Sequence, residues 1–332
     1  MSTGKEQMFQ KMSEGKKRGY IHISFSEFSL FKQCSHKHLI QKYLAIDEEP
    51  PSIHLYFGNA VHEAIEKSFE DNYSTEKRVE YFRGTFKKNM KENMVGTPEF
   101  EELDAFTEQG ENILQTLDVK GMLEKYELIS VEEPLYEKIH GKFYFKGFVD
   151  LVVKDRETGR YVIIDWKTSG EAWNMYWKNK DKTFLKQMKL YKYFWARKNG
   201  INLTEIDTKY IVLNRLKNKK NPELGFGEIV EVPMSSSMGE IKESLEELSL
   251  AIQSIHITQN FSKSKFMKDF KGDIMTDIDG RVIIDDSPCR FCKYKGGKHP
   301  LCNNQQEQSK NLLREHKKIK LNIYNKSKNV LH

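Results

Sequence analysis

The sequence predicts an α/β protein, and three observations predict it. Apolar residues recur at helical spacing through much of the first 126 residues. Short β-rich runs follow from Leu128. Helical and extended stretches then alternate to about residue 258. The chain has 332 residues, 38% apolar and 31% charged, enough for one large domain or two ordinary ones with a modest core. No run of about 18 apolar residues occurs, so no membrane-spanning helix is expected. The opening "MSTGKEQMFQKMSEGKKRGY" lacks the apolar core of a secretory leader, and a cytoplasmic setting is expected.

The net charge of +6 is unevenly spread. Residues 1–19 carry five Lys/Arg against two Glu, and residues 303–332 carry seven against two. The ends therefore hold +8 and residues 20–302 about −2. Any affinity for a polyanion must come from the tails or from a local basic groove. Residues 1–20 read as a flexible basic arm, 21–302 as one domain with a helical insertion at about 66–127, and 303–332 as a basic tail.

Within the domain, Ser24 or Ser26 is placed to cap a helix bearing Phe28, Phe31, Leu39 and Tyr43. "DEEPPS" is a loop. "GNAVHEAIEKSFEDNY" (58–73) sets Val61, Ile65 and Phe69 four residues apart, as a helix requires. Charged amphipathic helices follow over 76–126, broken near "VGTPEF". "LISVEEPLYEKI", "KFYFKGFVDLVVKD" and "YVIIDWKT" are strands, the last two joined by the turn "DRETGR". A helix is expected at about 181–198, strands at 206–216 and in "GEIVEVPM", and a serine-opened helix at 236–258. No G-x-x-x-x-G-K-[ST] sequence occurs, which argues against an ATPase motor in this chain.

The chemistry gathers on "GFVDLVVKDRETGRYVIIDWKTS" (147–169). If "DRETGR" folds the two runs together, Asp150 and Asp165 lie across from each other. Two carboxylates so placed repel unless a cation sits between them. A hard divalent ion with oxygen ligands, Mg²⁺ or Mn²⁺, suits them, and such an ion keeps sites for water and phosphate oxygens. Lys167 is two residues past Asp165 and so projects to the same face of the strand. A metal with an ammonium beside it can hold a scissile phosphate, activate water and stabilise developing charge. The side chain of Trp166 should point to the opposite face, into packing.

These residues resemble the PD-(D/E)xK nucleases, and in particular the RecB-type branch. G-F-V-D and I-I-D-W-K-T supply its paired strands, "FGNAVHEAIE" places His62 in the context of that branch's helical metal ligand, and "QMKLY" gives Gln187 and Tyr191 at i, i+4. The resemblance covers about residues 24–302. It implies a restriction-endonuclease-like core, with a central mixed β-sheet flanked by helices, a helical N-terminal region and a C-terminal cysteine cluster. It further implies that His62, Asp150, Asp165 and the backbone carbonyl of Trp166 bind the metal. Lys167 would then be catalytic, with Gln187 and Tyr191 positioning the lysine, the water or the DNA backbone. Glu133 is a weaker candidate carboxylate, with Glu132 adjacent.

Cys289, Cys292 and Cys302 form C-x₂-C-x₉-C, and Cys34 lies far upstream. Three clustered thiols and a distant one suit a tetrahedral zinc or a [4Fe–4S] cluster. His36, His38 and His299 are further candidate zinc ligands. The resemblance implies the cluster, because one N-terminal and three C-terminal cysteines are characteristic of the AddB nuclease domain and of CRISPR-associated adaptation nucleases. Its role would be to tie the chain ends around the nuclease core.

Trp173, Tyr176 and Trp177 interleave with Lys178, Lys180 and Lys182. Aromatic platforms beside cations suit single-stranded DNA; a short buried helix face explains Trp173 and Trp177 equally. The expectation is a Mg²⁺- or Mn²⁺-dependent deoxyribonuclease, an exonuclease rather than an endonuclease, acting on single-stranded or frayed DNA ends in recombination, repair or phage DNA metabolism. The competing expectation is a DNA-binding subunit, non-catalytic or dependent on a helicase, recombination or integration partner.

Overall fold

In a computed structural model of the chain, residues 4–38, 41–42, 52–170, 182–215, 229–260, 274–276 and 282–284 are described. In chain order the elements are α1 (Gly4–Lys17), β1 (Ile21–Ser24), α2 (Phe25–Gln33), α3 (Ser35–His38), α4 (Ile53–Glu70), α5 (Thr75–Asn93), α6 (Leu103–Thr116), α7 (Val119–Lys125), β2 (Tyr126–His140), β3 (Phe143–Asp155), β4 (Tyr161–Ser169), α8 (Lys182–Asn199), β5 (Ile206–Asn214), β6 (Ile229–Pro233), α9 (Met238–Asn260), β7 (Ile274–Thr276) and β8 (Val282–Ile284). They fall in two units.

The first unit draws on residues 1–14, 50–137 and 146–244. Its centre is a mixed sheet with flanking helices, as the sequence predicts. β3 and β4 are antiparallel, β4 and β5 parallel, β5 and β6 antiparallel, and β2 pairs with β3. The β3–β4 turn forms from its own residues. Asp155 Oδ1 accepts the N–H groups of Glu157 (3.0 Å) and Thr158 (2.9 Å), and Gly159 takes φ +69°, which a residue without Cβ adopts cheaply. The parallel pair is pinned at its start, where the Arg160 guanidinium forks onto Asp207 at 2.6 and 2.7 Å and reaches the Thr204 carbonyl.

Strand alternation divides the sheet into two faces. Leu151, Val153, Val162, Ile164, Trp166, Ile211 and Leu213 join one core with α4, α5, α6 and α7. Trp166 is 2% exposed and stacks on Phe69, as expected of its side chain. Asp150, Asp165, Lys167 and Tyr210 alternate with these residues and so belong to the other face. The α4–α6 layer is held by Phe57, Phe82, Phe86 and Phe106, and by the buried Arg78, whose Nη2 donates to the carbonyls of Leu114 and Leu117.

Two expectations change here. Residues 4–17 form helix α1, where the sequence reads as a flexible arm. Its sparse apolar residues suffice because Met8 is buried, Phe9 meets Phe148 at 6.2 Å, and Lys5 pairs with Glu66 and Glu132. Helix α4 begins at Ile53 rather than residue 58, because Ile53 and Phe57 extend its buried stripe by one turn.

The second unit takes its described residues from within 15–49, 138–145 and 245 onward. β1 pairs with β3, and Ile21 N–H donates to the Lys142 carbonyl at 3.0 Å. Ser24 caps α2 by accepting the Glu27 N–H at 3.2 Å. The helix stops at Gln33, with Cys34 extended at its C-terminal cap; Leu39 and Tyr43, expected on the same helix, lie outside the described residues. Lys32 reaches Glu247 of α9 at 3.4 Å, and buried His38 meets Glu27 at 3.2 Å. β7 and β8 form a short antiparallel pair.

Candidate active site

The β3–β4 ladder runs Lys154↔Tyr161 to Leu151↔Ile164. One further step sets Asp150 opposite Asp165. There the Asp150 side chain replaces the strand partner: Trp166 N–H donates to Asp150 Oδ2 at 2.8 Å. The same oxygen lies 3.7 Å from Nδ1 of His62, on α4, and the His62 ring hydrogen-bonds the backbone of Trp166. His62, Asp150 and the Trp166 backbone are thus mutual neighbours.

The second half of the site is built by β4, α8 and β5. Lys167 Nζ meets the buried Asp165 Oδ2 at 2.5 Å as an ion pair. Gln187 Nε2 donates to Asp165 Oδ1 at 3.0 Å. Tyr191 lies one turn beyond Gln187, is buried, and hydrogen-bonds it. Tyr210 O–H donates to Gln187 Oε1 at 3.3 Å, and the Lys167 ammonium lies 5.4 Å from the Tyr210 ring centroid.

The electrostatics follow from burying several charges together. Burial pushes Asp150 up to about 6; Glu132 adds to this, while Lys167 and the Trp166 N–H oppose it. Burial also pushes Asp165 up to about 6, with Asp150 adding and Lys167 opposing. His62 falls to about 4, through burial and then the charge of Lys167, so its ring is neutral near pH 7 and able to act as a ligand. For Lys167, burial disfavours the ammonium, but Asp165 and Asp150 together outweigh it and raise its pKa. Burial raises Tyr191 above the ordinary phenol value, so its hydroxyl stays protonated.

The donor set fits a hard divalent cation: two carboxylates that burial makes reluctant to carry charge, a neutral imidazole and a backbone carbonyl. Among the described residues no three His, Cys, Asp or Glu side chains stand close enough together to hold a metal ion as they are. The groups stand instead as two pairs, His62 with Asp150 and Asp165 with Lys167.

Glu133 is a correction. Its carboxylate accepts from Trp195 Nε1 (2.7 Å), Lys198 Nζ (2.7 Å) and Ser130 Oγ (2.6 Å), and it takes no part in the site. The neighbour that faces the site is Glu132. It adopts φ +47°, in the left-handed region that a residue with a Cβ seldom takes. Its charge acts on His62 and Asp150, and it hydrogen-bonds Glu66 while pairing with Lys5 at 3.3 Å. Glu66 was legible as the residue one turn beyond His62; Lys5 and Tyr210 carry no local signal.

Trp173, Tyr176, Trp177, Lys178 and the side chain of Lys182 lie outside the described residues, as do Cys289, Cys292 and Cys302. Cys34 is described: it is buried, and its Sγ accepts the Lys37 N–H at 3.4 Å.

A strand pair presenting two facing aspartates and a lysine on one side of a mixed sheet is the frame of a phosphodiester-cleaving nuclease. The family model of the PD-(D/E)XK nuclease superfamily matches residues 22–296, and the chain belongs to that superfamily. Among solved structures, a "Putative exonuclease" from Eubacterium rectale shares the fold with a TM-score of 0.51 at 15% identity, over 80% of this chain and 89% of that one. SSO0001 aligns over 66% of this chain and 83% of its own at 11% identity, with a TM-score of 0.27, too low to bear on the fold. No curated protein matches the chain. Among the described residues no helix is long and apolar enough to cross a membrane.

Proposed function

We propose that the protein is a Mg²⁺- or Mn²⁺-dependent deoxyribonuclease, acting as an exonuclease on single-stranded or frayed DNA ends. The observation that carries this reading is the juxtaposition of Asp150 and Asp165 across the β3–β4 pair, with the Lys167 ammonium on the Asp165 carboxylate. Four groups would hold the cation: the His62 ring, the two carboxylates and the Trp166 carbonyl. Once bound, the cation supplies Lewis acidity to a phosphodiester and lowers the pKa of water.

The chain's own residues do the rest. Asp150 ties β3 to β4 through the Trp166 N–H and so holds the two strands at the spacing the site needs. Lys167 stays charged, and its ammonium can stabilise negative charge developing on phosphate. Gln187 holds one oxygen of Asp165, so the other is presented to the cation and the lysine. Tyr191 keeps its proton and can donate to a phosphate oxygen.

The Eubacterium rectale protein that shares the fold is described as a "Putative exonuclease", which supports action from ends. A [4Fe–4S] cluster on Cys34, Cys289, Cys292 and Cys302, in the manner of AddB-type and CRISPR-associated nucleases, is part of the proposal. The N–H···S bond from Lys37 suits a ligating thiolate. A helicase or recombination partner would act on the same DNA ends.

The test is digestion of end-labelled linear and circular single-stranded DNA with Mg²⁺ or Mn²⁺, by the parent and by Asp165→Ala and Lys167→Ala. The expected result is cleavage of the linear strand alone, lost in both variants. Cleavage that survives both substitutions would overturn the nuclease assignment, and digestion of circles would overturn the exonuclease reading. Iron and zinc quantitation with a visible spectrum tests the cysteine site: stoichiometric zinc without broad absorbance near 400 nm rejects the cluster.

A further inference from the structure

Tyr210 reads in sequence as one more apolar position of a core strand, and it is wholly buried. Its hydroxyl nevertheless makes a specific bond. In the parallel β4–β5 register Tyr210 is the partner of Asp165, so both side chains project to the same face. Between them stands Gln187, reaching in from α8. Its two amide ends are used differently: Oε1 accepts from Tyr210 O–H at 3.3 Å, and Nε2 donates to Asp165 Oδ1 at 3.0 Å.

An ionised carboxylate only accepts hydrogen bonds, so Asp165 requires the amide nitrogen. A buried amide oxygen left without a donor is costly, and a glutamine can relieve it by swinging away. The Tyr210 hydroxyl lessens that incentive by donating to Oε1 where it lies, beside Tyr191, which also hydrogen-bonds the glutamine. The Tyr210 ring also flanks the Lys167 ammonium, 5.4 Å from its centroid, so one residue borders two of the groups that meet Asp165.

We propose that Tyr210 is a positioning residue of the catalytic centre: through Gln187 it fixes the carboxylate of Asp165 in the orientation that receives the divalent cation. This rests on the nuclease reading for its purpose, but the chain of hydrogen bonds does not depend on which bond is cleaved. Partners that orient a metal-binding group, without touching the metal, are worth about 10- to 100-fold in metal affinity or activity.

The experiment is a double-mutant cycle read by direct Mn²⁺ binding to the full chain in titration calorimetry, with the unfolding temperature as a control. The four proteins are the parent, Tyr210→Phe, Gln187→Met and the double variant. Tyr210→Phe should weaken Mn²⁺ binding about tenfold in the parent and less than about twofold once Gln187 is already methionine. The same loss in both backgrounds makes Tyr210 a packing residue and overturns the inference. So does unchanged binding in Tyr210→Phe, or a parent that binds no Mn²⁺. If Tyr210→Phe does not fold, Gln187→Met carries the test alone: unchanged Mn²⁺ binding there overturns the inference, and a tenfold loss supports it. DNA digestion is scored separately. The expected cycle with no cleavage by the parent keeps the Tyr210 assignment and rejects the nuclease reading.

Discussion

The carboxylate of Asp150 accepts the backbone N–H of Trp166 at 2.8 Å, and in doing so takes the place of a strand partner between β3 and β4. One side chain thereby serves both the sheet and the site. An asparagine oxygen can still accept this bond, whereas leucine leaves a part-buried N–H without a partner, at a cost of about 1–3 kcal/mol. Asp150→Asn should therefore retain nearly the parent's urea stability yet lose cleavage at least about a hundredfold, since a ligand should matter more than the groups that merely orient one. Asp150→Leu should lose both. An Asp150→Asn protein as unstable as Asp150→Leu would show that the carboxylate's charge, rather than its acceptor role, holds the strands.

Lys167 and a bound cation compete for the same oxygen of Asp165, because the ammonium already lies against Oδ2. Removing the ammonium should separate binding from catalysis. Lys167→Met is expected to bind Mn²⁺ at least as tightly as the parent by calorimetry. Its cleavage rate should fall about 10²- to 10³-fold, the usual loss when one group that stabilises transition-state charge is deleted. Weaker Mn²⁺ binding together with an unchanged rate would reverse the assigned role.

What the sequence makes legible here is what is local. The "DRETGR" turn closes through Asp155 and Gly159, and once it closes, Asp150 and Asp165 must approach each other because they are equidistant from it. Lys167 follows from alternation alone. The arrangement of Gln187 on Asp165 is a long-range contact across 22 residues; the Q-x-x-x-Y resemblance pointed to Gln187, but as a partner of the lysine, the water or the DNA backbone rather than of Asp165. The choice between Glu132 and Glu133 was not legible, because distant partners decide it: Trp195 and Lys198 hold Glu133, while Lys5 and Glu66 meet Glu132. Helix α1 was hidden for a related reason. Its charged composition resembles a solvated arm, and what holds it in place is Met8 and Lys5 meeting residues more than sixty positions away or in the core.

A cation that binds the folded site and not the unfolded chain stabilises by mass action, about 2.7 kcal/mol when it is present at a hundred times its dissociation constant. Mn²⁺ should raise the unfolding temperature of the parent, and chelation should return it to the starting value. The increase should vanish in a variant carrying both Asp150→Asn and Asp165→Asn. A shift of equal size in that variant, followed by differential scanning fluorimetry, would place the stabilising ion elsewhere.

The N-terminal helix should couple to the acidic side of the site in a pH-dependent way. Lys5 Nζ lies 3.6 Å from Glu66 and 3.3 Å from Glu132. Burial pushes the Glu66 carboxyl up from its ordinary 4.5 to about 8; the hydrogen bond to Glu132 and that residue's charge add to this, and Lys5 opposes it. A carboxyl whose folded pKa is raised favours the folded state while it is protonated, and that contribution drains away as pH rises towards the folded value. Lys5→Met removes the opposing ammonium together with its pair to Glu132, so its destabilisation should be larger near pH 8.5, where Glu66 is ionised, than near pH 5. Because the lysine side chain is 44% exposed, the difference should not exceed about 1 kcal/mol. Glu66→Gln should show the converse, gaining stability over the parent near pH 8.5 and little near pH 5. Urea unfolding of the three proteins at both pH values checks this. Equal effects at the two pH values would mean that the Glu66 carboxyl is not coupled to the Lys5 ammonium of α1.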